Sequence, residues 1–185
     1  MPEHESVEID AGWDHLARAR KGDQEAWKTL FEQYAPQLLR MATLLTGSTD
    51  AGRDCVQEAF VRLLNSIVHH KTGTLRAYLS TIAYRLAVKE NIRLRRRAPT
   101  GDVESISSDP SPLDQAIAEE RQQEVAHVIL ALPAHHREIL ILRLNGEHSY
   151  EEIADITGLP LGTVKSRIFH AVKSARSEMK KRGVI

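Results

Sequence analysis

A single cysteine, Cys55, stands in a chain of 185 residues. No disulfide can close within the chain, and a reducing, cytoplasmic setting is the natural expectation. Aromatic residues are also scarce, at 5% of a sequence that is 42% hydrophobic, which suits small cores built from aliphatic helices. No apolar run approaches the ~20 residues that span a bilayer, so no membrane insertion is expected. The opening stretch MPEHESVEIDAGWD is acidic and has no apolar segment, unlike a signal peptide. Recognisable enzyme chemistry is missing as well: there is no HExxH, no paired CxxC, no P-loop and no nucleophile elbow. The adjacent pairs His69-His70 and His135-His136 would point to different faces of a helix, so the nine histidines suggest no metal. Neither a cofactor nor a catalytic residue is expected, and Cys55 reads as a small packing residue.

The formal net charge is zero, but the charges are segregated. Glu3, Glu5, Glu8, Asp10 and Asp14 open the chain without a Lys or Arg among them. Arg85, Lys89, Arg93, Arg95, Arg96 and Arg97 face only Glu90. From Ala98 to Glu124 seven acids accompany only Arg121, and from Leu161 to Arg182 seven cations accompany only Glu178. Two basic blocks with an acidic one between them suggest two contacts with a polyanion.

Periodicity predicts helices and no strands. Trp27, Leu30, Phe31 and Tyr34 recur at helical spacing behind a capping Asp23, with Pro36 expected to break or restart that helix and Gly47 to end it. Ser48 to Asp50 can start a second helix with the stripe Val56, Phe60, Leu63, Leu64 and Ile67, and His69 to Gly73 reads as a loop. Thr74 can cap a third helix carrying Leu75, Tyr78, Leu79, Ile82 and Leu86 on one face. The stretch APTGDVESISSDPSP has no apolar period and reads as a flexible linker. Helices are expected again over Leu113–Leu132 and Ala134–Leu144. The resulting fold class is all-α: an acidic segment at 1–22, a helical domain at 23–97, a linker at 98–112 and a second helical domain at 113–185.

The second domain carries the sharpest local signal. Ser149 and Glu152 have the spacing of a capping box, Gly158 marks a tight turn, and a new helix starts near Leu161, which together read as a helix-turn-helix. In the last helix Val164, Ile168, Ala171, Val172, Ala175 and Met179 share one face, expected to pack on Ile153, Ala154 and Ile156. Thr163, Lys165, Ser166, Arg167, His170 and Lys173 share the other. A helix with that face fits a DNA major groove, its early residues reaching base edges and its later cations reaching phosphates. Phe169 falls between the faces, open either to the core or to a thymine methyl.

The segment LPAHHREILILRLNGEHSYEEIADITGLPLGTVKSRI, Leu132 to Ile168, resembles the fourth region of bacterial sigma factors, and DAGRDCVQEAFVRLL, Asp50 to Leu64, resembles their second region. The small size and direct linker resemble the extracytoplasmic-function group. The resemblance implies a chain that binds core RNA polymerase, directs it to promoter DNA, helps open the −10 region and is held in check by an anti-sigma factor. It implies polymerase docking by Asp54, Gln57, Glu58 and Arg62. It implies single-strand reading at the −10 element by His69, His70, Lys71, Tyr84, Arg85, Lys89, Arg93, Arg95 and Arg96. Duplex reading at the −35 element falls to Thr163, Lys165, Ser166, Arg167, Phe169, His170 and Lys173. Tyr78, Arg85 and Lys89 depart from the family's frequent Trp, Asn and Asp at these places, which puts individual base contacts in doubt. Two other readings stay open from the residues: a helix-turn-helix regulator that never meets polymerase, and a DNA-modifying enzyme with such an anchor. The first would need a sensor domain and the second a catalytic constellation, and neither stands out in the sequence.

Overall fold

The computed structural model describes residues 11–66, 73–97, 124–145 and 148–185, and these contain helices and turns but no strand. The first group comprises α1 (Ala11–Ala19), α2 (Gln24–Thr46), α3 (Thr49–Asn65) and α4 (Leu75–Arg97). The second comprises α5, described over 124–131, with α6 (Ala134–Asn145), α7 (Tyr150–Thr157) and α8 (Leu161–Lys181). The expected linker, the loop residues His69, His70 and Lys71, and the early part of the expected Leu113–Leu132 helix lie outside the described residues.

Local chemistry sets the helix boundaries. Asp23 accepts the Ala26 amide at the start of α2, and Ser48 accepts the Ala51 amide at the start of α3. Thr74 does the same for Ala77 at the start of α4. Gly47 ends α2 in the left-handed region, at φ 75°, where its amide reaches the Thr43 carbonyl. The expected break at Pro36 does not occur, and α2 continues through it. Proline inside a helix costs about 3 kcal/mol. Here the ring faces solvent, and the turns on either side bury Leu30, Tyr34, Leu38 and Met41. At roughly 1.5–3 kcal/mol for each large apolar side chain, that burial outweighs the penalty.

Helix α1 is the element the periodicity reading missed. Trp13 is 3% exposed, and its Nε1 donates to the Gly73 carbonyl at 3.0 Å, tying α1 to the entrance of α4. Gly12 allows the close approach: a Cβ there would lie 2.6 Å from Tyr34 Oη and 3.0 Å from Leu75. Just beyond α1, Arg20 donates to the Leu63 carbonyl at 2.8 Å and to Ser66 Oγ at 2.7 Å, placing a cation at the C-terminal end of α3.

In the second group α6, α7 and α8 enclose Ile139, Leu140, Leu142, Ile153, Ile156, Val164, Ile168 and Ala171. The two groups also touch: α6 packs on α2 and α7 on α4, and one buried apolar cluster runs through both.

Candidate nucleic-acid and polymerase interfaces

The capping box is formed in full. Ser149 Oγ accepts the Glu152 amide at 3.0 Å, and Glu152 Oε2 accepts the Ser149 amide at 2.9 Å. Gly158, at φ 71°, closes α7 by donating to the Ala154 carbonyl at 2.8 Å. Helix α8 then begins behind Pro160 without a side-chain cap, so its leading amides are available to an anion such as a DNA phosphate. A Cβ on Gly162 would meet nothing within 4 Å, so this end of the helix is open to a partner.

Along α8, Val164, Ile168 and Ala171 are buried against the rest of the domain. Lys165, Ser166, Phe169, His170 and Lys173 are exposed, and Thr163 and Arg167 are half-buried. Phe169, left open between core and groove, is 67% exposed and is no part of the core; its ring meets His170 edge-on at 5.4 Å. One expectation needs correction. Val172, expected on the packed face, is 51% exposed. The buried stripe advances through 164, 168, 171 and 175, and a residue one step past Ala171 is rotated by about 100° away from it. The solvent side of α8 therefore presents cations, small polar groups and one free aromatic ring.

The first group presents two further surfaces. On α3 the side chains of Asp54, Gln57, Glu58 and Arg62 are all exposed. Of the charge ladder suggested by their spacing, the Glu58–Arg62 rung forms at 2.7 Å, worth only tenths of a kcal/mol at such exposure. Val61, 52% exposed, adds an apolar knob to the same face; its position one turn from Gln57 and Glu58 was readable in the sequence. Between α3 and α4 lies a groove of about 880 Å³ whose walls include Asp54, Cys55 and Glu58 on one side and Arg85, Lys89, Arg93 and Arg96 on the other. The groove thus brings two separately expected sets of residues together. Burial, then the carboxylates of Glu90 and Asp54, push the Cys55 thiol up to about 11. It stays a protonated packing group at neutral pH.

On α4, Arg85, Lys89, Arg93, Arg95 and Arg96 are exposed. Arg93 is held by both carboxylate oxygens of Glu90, and Arg95 by Asn91 at 3.0 Å. Tyr84 differs from this set. It is half-buried and donates its hydroxyl to Glu138 Oε2 of α6 at 3.2 Å. Burial, with the Glu138 carboxylate, raises its phenol well above the ordinary value.

A second polar junction was not foreseen. Glu152 Oε1 accepts from Thr74 Oγ1 at 3.3 Å, and Glu152 Oε2 lies 3.6 Å from Arg76. His148, 0% exposed, places Nδ1 3.5 Å from the same carboxylate. Neither of its ring nitrogens makes a full hydrogen bond to a described residue. Burial lowers the His148 pKa, partly opposed by Glu152 and reinforced by Arg76. Burial alone would raise the Glu152 carboxyl, but the Ser149 amide, His148, Arg76 and Thr74 together bring it below its ordinary value.

Both shifts act in one direction. Above about pH 6.5, the ordinary histidine value, His148 is neutral folded and unfolded, so its contribution to stability is complete. As pH falls through that value the unfolded chain takes up a proton that the buried ring resists, and stability is lost. Glu152 adds to the loss further down, as pH approaches its depressed value. Melting temperature is therefore expected to be flat above about pH 7 and to decline toward about pH 5. Replacing His148 by Leu should flatten the upper part of the slope; an unchanged slope would remove His148 as its cause.

Residues 30–99 match Sigma-70 region 2, and residues 122–174 match Sigma-70, region 4. The chain is 32% identical over 168 residues to the ECF RNA polymerase sigma-E factor of Escherichia coli strain K12, covering 84% of this chain and 87% of that one. This chain belongs to the ECF RNA polymerase sigma factors. The ECF sigma factor is also 25% identical over 180 residues to the ECF RNA polymerase sigma factor SigW of Bacillus subtilis strain 168, covering 89% and 95% of the two chains. Its fold resembles that of the sigma factor RpoE of Bartonella quintana, solved in complex with the anti-sigma factor NepR. The TM-score is 0.66 at 26% identity, over 83% of this chain and 96% of that one. As a sigma factor it is a transcription initiation factor that directs RNA polymerase to promoters. No helix among the described residues is long and apolar enough to cross a membrane.

Proposed function

We propose that this ECF sigma factor divides promoter recognition between its two helical groups, reading the −35 element as duplex with α8 and the −10 element as separated strand with α4. The observation that carries the reading is the one-sided α8. Its base-reaching end follows a formed capping box and turn, and its outward side holds Lys165, Ser166, Phe169, His170 and Lys173. Thr163 and Arg167 flank that side. On α4 the exposed cations Arg85, Lys89, Arg95 and Arg96 suit a strand backbone, with Tyr84 as a stacking group and Arg93 moderated by Glu90. Engagement of the unpaired strand there helps to open the −10 region. The expected contributions of His69, His70 and Lys71 fall outside the described residues.

The exposed face of α3, with Asp54, Gln57, Glu58, Val61 and Arg62, is the surface offered to core polymerase. The protein acts through these contacts with no catalysis and no cofactor of its own, in the cytoplasm. An anti-sigma factor regulates it, by analogy with the Bartonella quintana relative bound to NepR.

Transcript-start mapping with reconstituted holoenzyme tests the whole reading, which fails if no promoter yields a defined start. Within it, Arg167→Ala should weaken binding to the −35 element by about 1–3 kcal/mol if the guanidinium reads a base. A uniform loss across unrelated sequences, with a smaller salt dependence, would assign Arg167 to phosphate instead.

A further inference from the structure

Helix α1 lies ahead of the stretch, 30–99, that matches region 2. It packs on α2, burying Trp13 and Leu16, but its polar contacts go to two other helices. Arg20, just beyond α1, donates from Nη2 to the Leu63 carbonyl in the last turn of α3 and to Ser66 Oγ just past it. Trp13 Nε1 donates to the Gly73 carbonyl, one residue before the Thr74 cap of α4. One short helix thus fastens the place where α3 ends to the place where α4 begins.

The entry angle of a helix is often fixed by an apolar pair, in which the residue before the cap packs on the fourth residue of the helix. In α4 those positions are Gly73 and Tyr78, and Gly73 has no side chain to offer. Trp13 supplies the missing half from another helix: its N–H takes the Gly73 carbonyl, and its ring centroid lies 5.7 Å from that of Tyr78. The angle of α4 is set mainly near this entry. Both large side chains that α4 buries completely, Leu75 and Leu79, sit there, whereas the buried stripe continues as Ala83 and Ala87. A methyl group gives a facing helix little to interlock with. Lys89 stands about 20 Å along α4 from its entry, and a tilt of about 10° there would carry it sideways by about 4 Å. Hydrogen-bond distances tolerate only a few tenths of an ångström.

We propose that Trp13 and Arg20 are positioning residues for −10 reading: through them α1 clasps the end of α3 to the start of α4, and so aims the strand-reading side of α4 from the helix that docks on polymerase. The proposal rests on the assignment of α4 to the −10 strand and of α3 to core polymerase. Neither Trp13 nor Arg20 touches DNA in this scheme. Without the clasp α4 takes a range of angles, of which only a fraction suit the strand, and apparent affinity for the strand falls by that fraction.

Trp13→Phe tests the clasp, because it keeps a ring against Tyr78 and removes the N–H. Reconstituted holoenzyme is bound to three probes at one fixed salt concentration. The first is a fork template, from a promoter found by start mapping, that presents the −10 strand unpaired. The second is the same fork with its −10 bases replaced one at a time, and the third is a plain duplex carrying the −35 element. The variant should bind the native fork about two- to tenfold more weakly, the shift that one net hydrogen bond gives an equilibrium, and should discriminate less among the replaced bases. Its helicity, its affinity for core polymerase and its binding to the −35 duplex should be unchanged. Arg20→Met should act in the same direction, and Arg20→Lys, whose ammonium can still donate to a carbonyl, should recover part of the loss. Should Trp13→Phe fail to fold, the Arg20 pair carries the test. Folded variants with wild-type affinity and base preference on the fork overturn the proposal, and so does an equal loss on fork and −35 duplex, which would make the clasp merely structural. If instead the wild-type holoenzyme shows no base preference on the fork, the assignment of α4 to the −10 strand is what fails, and the positioning role falls with it.

Discussion

Leu142→Ala is expected to cost about 2–5 kcal/mol of stability, enough to unfold a large fraction of the α6–α8 group near body temperature. Leu142 is 0% exposed on α6, which packs at once on α8, α7 and α2. Its loss leaves a cavity that three helices cannot all move to fill, so the cost combines lost transfer energy with lost packing. A domain of this size shifts its melting temperature by roughly 4–8 °C per kcal/mol. Thermal and urea unfolding followed by circular dichroism would measure the change. Duplex binding should disappear along the same melting curve, because the base-reaching face of α8 exists only while α6 supports its buried stripe. A loss below about 1 kcal/mol would mean that the site collapses freely, and the helix-turn-helix would then not depend on this contact.

Gly52→Val should cost about 3 kcal/mol or more, for the opposite reason. A Cβ at Gly52 would lie 2.6 Å from Thr43 Oγ1 and 2.8 Å from the Thr43 amide nitrogen. Replacing a helical glycine usually gains up to about 1 kcal/mol in propensity, and valine keeps part of that gain. Here the gain is outweighed, because the amide nitrogen is backbone and cannot rotate aside. Helix α3 must move away from α2, taking Asp54, Gln57 and Glu58 out of register with the groove beside α4. Unfolding by urea would measure the stability lost, and binding to core polymerase would report the displaced face. Wild-type stability would show that α2 and α3 slide apart without penalty.

Much of the fold was legible because it is governed by local rules. Asp23, Ser48, Thr74 and Ser149 cap the helices they were expected to cap, and Gly47 and Gly158 adopt positive φ at the ends of theirs. Helix α1 is hard to read from sequence because it is short, carries the poor helix former Gly12 in its first turn and follows an acidic stretch with no apolar period. Its signal was Trp13, Leu16 and Ala19 at intervals of three. Pro36 leaves α2 intact because the burial on either side of it, which is not a local property of the sequence, outweighs the local penalty.

By itself the sequence determined an all-helical fold, the capped helix-turn-helix, the sigma-factor family, and most of the residues on the buried stripe of α8. Local hydrogen bonds and a rotation of about 100° per residue carry that information over a few positions. The tertiary structure alone decided that Phe169 and Val172 face solvent, that His148 is sealed, and that Tyr84 meets Glu138 and Thr74 meets Glu152 across separations of 54 and 78 residues. Such contacts leave no local trace, because a residue at the edge of a helical face is covered or bared only by whichever distant helix packs beside it.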